Sequence, residues 1–99
     1  MTIDEVRSDE KLQLNIHGKV DALSSNELQN EVLKAFQKSS YVILNFADVN
    51  YISSAGLRAL LIGQKTASSK NGKFLIINTN EAVAEILRVT GLQKVLSIQ

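Results

Sequence analysis

Two adjacent hydroxyl groups, those of Ser53 and Ser54, stand between an apolar run at 41–47 and a segment with helical apolar spacing at 57–62. The first N–H groups of a helix have no intrahelical acceptor, and the helix dipole adds partial positive charge beside them. A phosphoryl group on either serine would therefore form in an anion-binding position. Serine phosphorylation is the chemistry that this junction could support.

A purely structural interpretation fits the same residues. Serine is among the commonest residues at a helix N-cap, and glycine, here Gly56, often marks a tight turn. On the local pattern alone, capping is favoured over phosphorylation. The rest of the chain must therefore help to decide between the two interpretations.

The N-terminal part of the chain predicts a hairpin followed by a helix. Alternating apolar and polar residues over 12–17 predict a half-buried strand, and 3–7 predicts a weaker strand antiparallel to it. Ser24 and Glu27 have the spacing of a capping box, and the apolar periodicity that follows them predicts a helix from about 25 to 38.

The remaining pattern alternates strands with helices. The run at 41–47 is apolar on both sides except at Asn45, as expected of a central strand that is covered on two faces or buried between neighbours. The elements predicted after it are a helix from Ser54 towards Ser69 with an exit turn at Asn71-Gly72, a strand at 74–77, a short helix around 83–87 that stops at Gly91, and a last strand near 94–98.

This order of elements predicts an α/β fold with a mixed sheet. Strands that alternate with helices pair in parallel through right-handed crossovers, whereas the first strand is antiparallel. Partners and ligands of such sheets meet the carboxyl ends of the parallel strands. Asp21, after the second strand, and Ser53-Ser54, after the third, are therefore expected to lie close together.

Composition narrows the class of protein. A length of 99 residues and a hydrophobic content of 44% predict a single domain over 1–99. The absence of cysteine excludes thiolate catalysis, Cys-ligated zinc and disulfides. A net charge of +1 and few aromatic residues argue against direct nucleic-acid binding. Without a signal-peptide pattern or a span-length apolar stretch, we expect a soluble cytoplasmic protein with no membrane insertion.

The residues do not assemble a catalytic constellation. His17 is the only histidine, and it lies in an alternating strand where it is expected to face solvent or a partner. The chain has neither a Gly-x-Ser-x-Gly elbow nor a Gly-x-x-x-x-Gly-Lys phosphate loop. Asp48 is assigned to the turn before Ser53, where its carboxylate would accept backbone N–H groups. We therefore expect a protein that is not an enzyme and has no catalytic residues, metal site or cofactor.

The segment 48–57 resembles the signature loop of STAS domains, the family of anti-sigma factor antagonists. In that family a strand ends in an aromatic and an aliphatic residue, and Asp-Ser-Ser/Thr/Ala-Gly-Leu then opens a helix. Ser54 matches the serine that follows the family's Asp position, whereas Ser53 stands where regulated members usually carry that Asp. Residues 18–21 and 90–92 are similar to two further motifs, Gly-x-Leu/Val-Asp and Ser/Thr-Gly-Leu, so the resemblance covers nearly the whole chain.

The resemblance implies a STAS-like mixed sheet of four or five strands with an N-terminal antiparallel strand and three or four helices. It also implies an anti-sigma factor antagonist that is controlled by phosphorylation of Ser54. The unphosphorylated form would sequester an anti-sigma factor that is a GHKL-type serine kinase and so release a sigma factor, and a PPM-type serine phosphatase would restore that form. The implied partner-binding residues are Asp21, Ser53, Ala55, Gly56, Leu57 and Arg58.

Two questions stay open. Asp21 either lies at the kinase interface near the phosphoacceptor or prepares the turn into the first helix. The runner-up function is an accessory STAS subunit of a lipid-transport or signalling assembly whose serine loop is not phosphorylated, and the serine at position 53 favours it. A small-molecule or nucleotide sensor fits the fold, but the chain has no phosphate-binding motif to support that function.

Overall fold

The computed structural model describes every residue from Met1 to Gln99. The mixed α/β fold expected from the sequence is confirmed, with five strands and three α-helices. In chain order these are β1 (Thr2–Ser8), β2 (Lys11–His17), α1 (Ser25–Lys38), β3 (Tyr41–Asp48), α2 (Ser54–Ser69), β4 (Lys73–Ile77), α3 (Glu81–Val89) and β5 (Ser97–Ile98).

The last strand is the element whose predicted bounds are wrong. It was expected near 94–98, but β5 contains only Ser97–Ile98. Gly91 ends the helix as predicted, in a left-handed conformation with a φ of 77°, and a 3-10 helix at Leu92–Lys94 then occupies the start of the predicted strand. The exit turn of α2 is as predicted, since Asn71 has a φ of 55° next to Gly72.

The sheet places the three helices on one of its faces. Its strand order is β1-β2-β3-β4-β5, with β1 antiparallel to β2 and the other pairs parallel. Because the parallel strands follow one another in space as they do in the chain, right-handed crossovers carry α1, α2 and α3 to the same side. The strand residues that face the helices are buried, namely Leu12, Leu14, Ile16, Val42, Leu44, Phe46, Phe74 and Ile76.

The central strand β3 is covered by helices on one face only. Tyr41, Ile43 and Asn45 on its other face are half-buried. Their partial protection comes from neighbouring strands, as where Asn45 Nδ2 donates to Asn15 Oδ1 at 3.0 Å. Of the two interpretations of this apolar run, burial between neighbours is correct and coverage on two faces is wrong.

The start of α1 is also not the predicted capping box. Ser24 is the N-cap residue, but its side chain makes no capping hydrogen bond. Its φ of −88° and ψ of −12° are helical, whereas a capping serine needs an extended backbone to reach the N–H groups of the first turn. The Ser24 Oγ instead lies 3.0 Å from Asp21 Oδ1, so the turn before the helix is organised by Asp21.

Candidate functional site

Two loops at the carboxyl ends of β2 and β3 are joined directly by backbone hydrogen bonds. Val20 forms an isolated parallel bridge with Ile52. The Val20 N–H donates to the Tyr51 carbonyl at 3.0 Å, and the Ser53 N–H donates to the Val20 carbonyl at 2.8 Å. Asp21 and Ser53 are therefore held at one edge of the sheet, as the predicted topology requires.

The two serines have different roles at the start of α2. Ser53 is the N-cap residue, and its Oγ accepts the Gly56 N–H at 3.1 Å. Ser54 is the first helical residue, it is exposed, and its hydroxyl has no hydrogen-bond partner in the protein. Capping and a free hydroxyl therefore coexist at this junction, because each belongs to a different serine.

An unused set of donors lies beside that free hydroxyl. The backbone N–H groups of Ser54 and Ala55 find no acceptor within the protein, while those of Gly56 and Leu57 bond to Ser53. Such free N–H groups at a helix N-terminus favour an anion. A phosphate on Ser54 would form next to them.

The other predicted partner-binding residues differ in exposure. Arg58 is exposed and pairs with no carboxylate, whereas Ala55 and Leu57 are half-buried. Gly56 is buried, and a Cβ added to it would lie 2.6 Å from Ile52 Cγ1 and 2.8 Å from Val20 Cγ1. Gly56 therefore shapes the loop instead of presenting a surface to a partner.

Asp21 builds the turn that leads into α1. Its Oδ1 accepts the Leu23 N–H at 3.1 Å, the Ser24 N–H at 2.9 Å and the Ser24 hydroxyl at 3.0 Å. These bonds, led by the one from the Ser24 backbone, hold the pKa of the Asp21 carboxyl below its usual value. The Oδ2 atom has no protein partner, so the same carboxylate supports the turn and presents an oxygen to solvent.

This geometry predicts different effects for two substitutions of Asp21. Asp21→Asn keeps an Oδ1 acceptor for all three donors, so we expect a melting temperature within a few degrees of the wild type. Asp21→Ala removes the acceptor and should lower the melting temperature more, because turn N–H groups lose their partner. Thermal melts followed by circular dichroism measure the difference, and equal losses in both variants would show that charge, not the acceptor, matters.

A cluster around His17 was not predicted from the sequence. His17 Nδ1 lies 2.6 Å from Asp48 Oδ2, and Nε2 lies 2.9 Å from Asp4 Oδ2. The assignment of Asp48 to backbone N–H groups of the turn is therefore wrong, because its carboxylate pairs with His17 across β2 and β3. The hairpin register could have indicated Asp4, since Thr2 lies opposite His17 and Asp4 is the next residue on that face.

The His17 cluster predicts a pH dependence of stability. The bonds to Asp48 and to Asp4 raise the pKa of the imidazole above its ordinary value of 6.5. Its stabilising contribution is thus fully present below the unfolded pKa and is lost as the pH rises through the folded pKa. We expect the melting temperature of His17→Gln to fall further below the wild type at about pH 5.5 than at about pH 8.5. A gap of equal size at both pH values would contradict this.

No group of three His, Asp or Glu side chains has a metal-binding arrangement. None of the helices has the length and apolar character needed to cross a bilayer.

Comparisons with known proteins agree with this fold. The anti-sigma-B factor antagonist of Bacillus subtilis (strain 168) is 22% identical over 98 residues, covering 99% of this chain and 90% of that protein. The structure of TM1081 from Thermotoga maritima has a TM-score of 0.90 at 21% identity, covering 97% of this chain and 84% of that chain. The Bacillus cell fate determinant SpoIIAA in its phosphorylated form has a TM-score of 0.75 at 16% identity, covering 99% of this chain and 91% of that chain.

The family assignment rests on nearly the whole chain. Structural likeness at these identities shows the fold, and the family model described as the STAS domain matches residues 2–99. The expectation raised by the motifs at 18–21, 48–57 and 90–92 is confirmed. This chain belongs to the STAS domain family.

Proposed function

We propose that this protein is an anti-sigma factor antagonist whose binding is switched off by phosphorylation of Ser54. The observation that carries the proposal is the difference between the two serines at the start of α2. Ser53 caps the helix, whereas the Ser54 hydroxyl is exposed and has no hydrogen-bond partner in the protein. The Bacillus subtilis relative is named an anti-sigma-B factor antagonist, which supports the antagonist part of this proposal.

The surface around Ser54 is suited to binding another protein. Leu23 is 91% exposed and Tyr51 is 45% exposed. Both belong to the two loops that the Val20 hydrogen bonds join, and the candidate phosphoacceptor follows one of these loops. Burying exposed apolar surface is the main favourable contribution to such an association. Asp21, Ser53, Ala55, Leu57 and Arg58 form the rest of the contact surface, and Gly56 supports it from below.

Phosphorylation would oppose this association in two ways. It adds about 1.5 to 2 negative charges at pH 7 to a surface that must lose water when a partner binds. Asp21 supplies a further negative charge on the adjoining loop. A partner surface that accommodates a neutral hydroxyl beside this carboxylate would meet uncompensated charge after modification.

The proposed partner is an anti-sigma factor with GHKL-type serine-kinase activity, which binds the unphosphorylated form and releases its sigma factor. A PPM-type serine phosphatase would return phosphorylated Ser54 to the binding form. The protein acts in this scheme as a single STAS module in the cytoplasm, and it is a substrate rather than an enzyme.

The proposal is tested with a GHKL-type serine kinase from the same genome that binds this chain, and with the sigma factor that this kinase holds. Unphosphorylated protein should displace the sigma factor from the kinase in a fluorescence titration. Prior incubation with ATP should abolish displacement, and phosphatase treatment should restore it. A protein that binds the kinase but never displaces the sigma factor would contradict the proposed function.

A further inference from the structure

The outer edge of β1 pairs with no other strand over all seven residues of β1. The strand runs over Thr2–Ser8 and pairs only with β2, in an uninterrupted register. Native edges are normally blunted by shortness, proline, a bulge or charged side chains, and of these devices β1 has only the charged side chains Asp4, Glu5 and Arg7. The opposite edge, β5, is limited to two residues, whereas β1 has neither proline nor bulge.

The hairpin turn determines which backbone groups point outward. Asp9 and Glu10 form a two-residue connection, and Asp9 has the positive φ, 54°, that primed turns require at their first central position. In such a hairpin the closing residues Ser8 and Lys11 form a hydrogen-bonded pair, and bonding to β2 then alternates along the strand. The N–H and C=O groups of Ile3, Glu5 and Arg7 therefore point away from β2.

Charge selects one way for this edge to pair with a copy of itself. A twofold axis perpendicular to the sheet and centred on Val6 places Glu5 opposite Arg7 of the copy, and Arg7 opposite Glu5. Centres on Asp4, Glu5 or Arg7 would each place two like charges directly opposite, which is unfavourable. Only the register centred on Val6 places opposite charges across from each other at residues whose backbone groups point outward.

The side chains that this register brings together are exposed and could contact the second copy. Val6 is 50% exposed on the open face of the sheet, and it would meet Val6 of the copy. Arg7 is exposed and has no carboxylate partner in its own chain. Glu5 contacts Lys38 of α1 at 3.0 Å, so Glu5 would lie between two cations.

We propose that β1 is a homodimerisation edge that pairs antiparallel with β1 of a second copy about Val6, joining the two sheets into one. The occupant is a second copy because the alternating charges of the strand complement the strand itself. The inference does not depend on the proposed function. In this dimer the two Ser54 loops lie at opposite ends of the joined sheet, since β1 runs in opposite directions in the two copies.

A cysteine cross-link tests the register. The chain has no cysteine, so a single introduced thiol can be oxidised only with its counterpart. Val6 forms a non-hydrogen-bonded pair with its copy, where Cα atoms lie about 4.5 Å apart, within the range of a disulfide. Val6→Cys should form a covalent dimer with diamide. Ser8→Cys is the matched control, because Ser8 would lie opposite Asp4 and about 13 Å from its counterpart.

A charge exchange tests the interface without a covalent bond. Arg7→Glu and Glu5→Arg should each weaken dimerisation by at least about tenfold, because each places like charges in both symmetric contacts. The double variant Glu5→Arg/Arg7→Glu restores opposite charges and should recover the dimer. Lys34→Glu makes the same charge change as Arg7→Glu on the exposed face of α1 and should leave the dimer unchanged.

Sedimentation equilibrium over a concentration series measures these constants, and circular dichroism melts confirm that each variant is folded. A wild-type protein that is monomeric throughout overturns the proposal. So does a dimer that both single variants retain, or equal cross-linking of Val6→Cys and Ser8→Cys. Pairing of β1 with a different protein would appear as a monomeric wild type and would also overturn it.

Discussion

Ser54→Ala is expected to abolish phosphate incorporation by the partner kinase, while Ser53→Ala should still accept one phosphate. The reason is geometric, because the Ser53 Oγ accepts the Gly56 N–H and the Ser54 hydroxyl is exposed and unbonded. Intact mass after incubation with kinase and ATP should show a single phosphate, and fragmentation should place it on Ser54. Phosphate on Ser53 would reverse the assignment.

The same variants separate binding from switching. Ser54→Ala should bind the kinase as the wild type does and should resist release by ATP. Phosphorylated wild type should bind about a hundredfold more weakly, since like-charge or unpaired charge at an interface costs several kcal/mol. Ser54→Asp should fall between the two, because a carboxylate carries less charge than a phosphate. Tight binding without any phosphate incorporation would instead favour an accessory STAS module.

Ser53→Ala also serves as the control for stability. Loss of an N-cap side chain costs about 1 kcal/mol, which lowers the melting temperature of a domain of this size by roughly 4–8 °C. Ser54→Ala removes no hydrogen bond and should melt close to the wild type. We therefore expect different effects from the two substitutions, with Ser53→Ala lowering stability and Ser54→Ala preventing phosphorylation.

The element order could be predicted because apolar periodicity is strong in this chain. Alternation over β2 and helical spacing over α1 and α2 each specify one buried face, and the sheet follows from alternating strands and helices. The bounds of β5 could not be predicted, because the 3-10 turn at Leu92–Lys94 contains apolar and polar residues that fit a strand equally well.

The loop contacts were harder to predict, because they depend on which of several polar side chains lies closest to a given hydrogen-bond donor in the folded chain. Ser24 and Glu27 have capping-box spacing, yet Asp21 takes the turn donors and Ser24 stays helical. Asp48 was expected in the turn after the strand, but it is the last residue of β3, where His17 lies opposite it in the parallel register and becomes its partner. The Asp21–Ser24 contact is local but non-periodic, and the His17–Asp48 contact joins residues 31 positions apart, so neither leaves a periodic signal in the sequence.

Gly56→Val is expected to be the most destabilising single change near the site. A Cβ at this position would lie 2.6 Å from Ile52 Cγ1 and 2.8 Å from Val20 Cγ1, well inside ordinary contact. Overpacking of this kind costs about 1–3 kcal/mol, which exceeds the few tenths of a kcal/mol that valine gains over glycine in a helix. The melting temperature should fall by roughly 5–20 °C, as measured by circular dichroism.

The loss should extend to partner binding, because the residues displaced are the two that form the Val20–Ile52 bridge. That bridge holds the Asp21 turn against the Ser53 cap, so moving it separates the two halves of the proposed contact surface. Gly63→Val is the matched control. Gly63 lies in the same helix, and a Cβ added to it would lie 2.7 Å from the Phe74 ring. Neither of these residues belongs to the Val20–Ile52 bridge.

Both glycine variants should therefore have a lower melting temperature than the wild type. At a temperature where both are still folded, only Gly56→Val should bind the kinase weakly. Ile52→Ala removes the nearest clashing atom, so Gly56→Ala should cost less in that background than alone, giving a measurable coupling between the two sites. Equal binding by the two glycine variants would show that the bridge does not position the contact surface. A Gly56→Val protein with a wild-type melting temperature would show that the space around Gly56 adapts without strain.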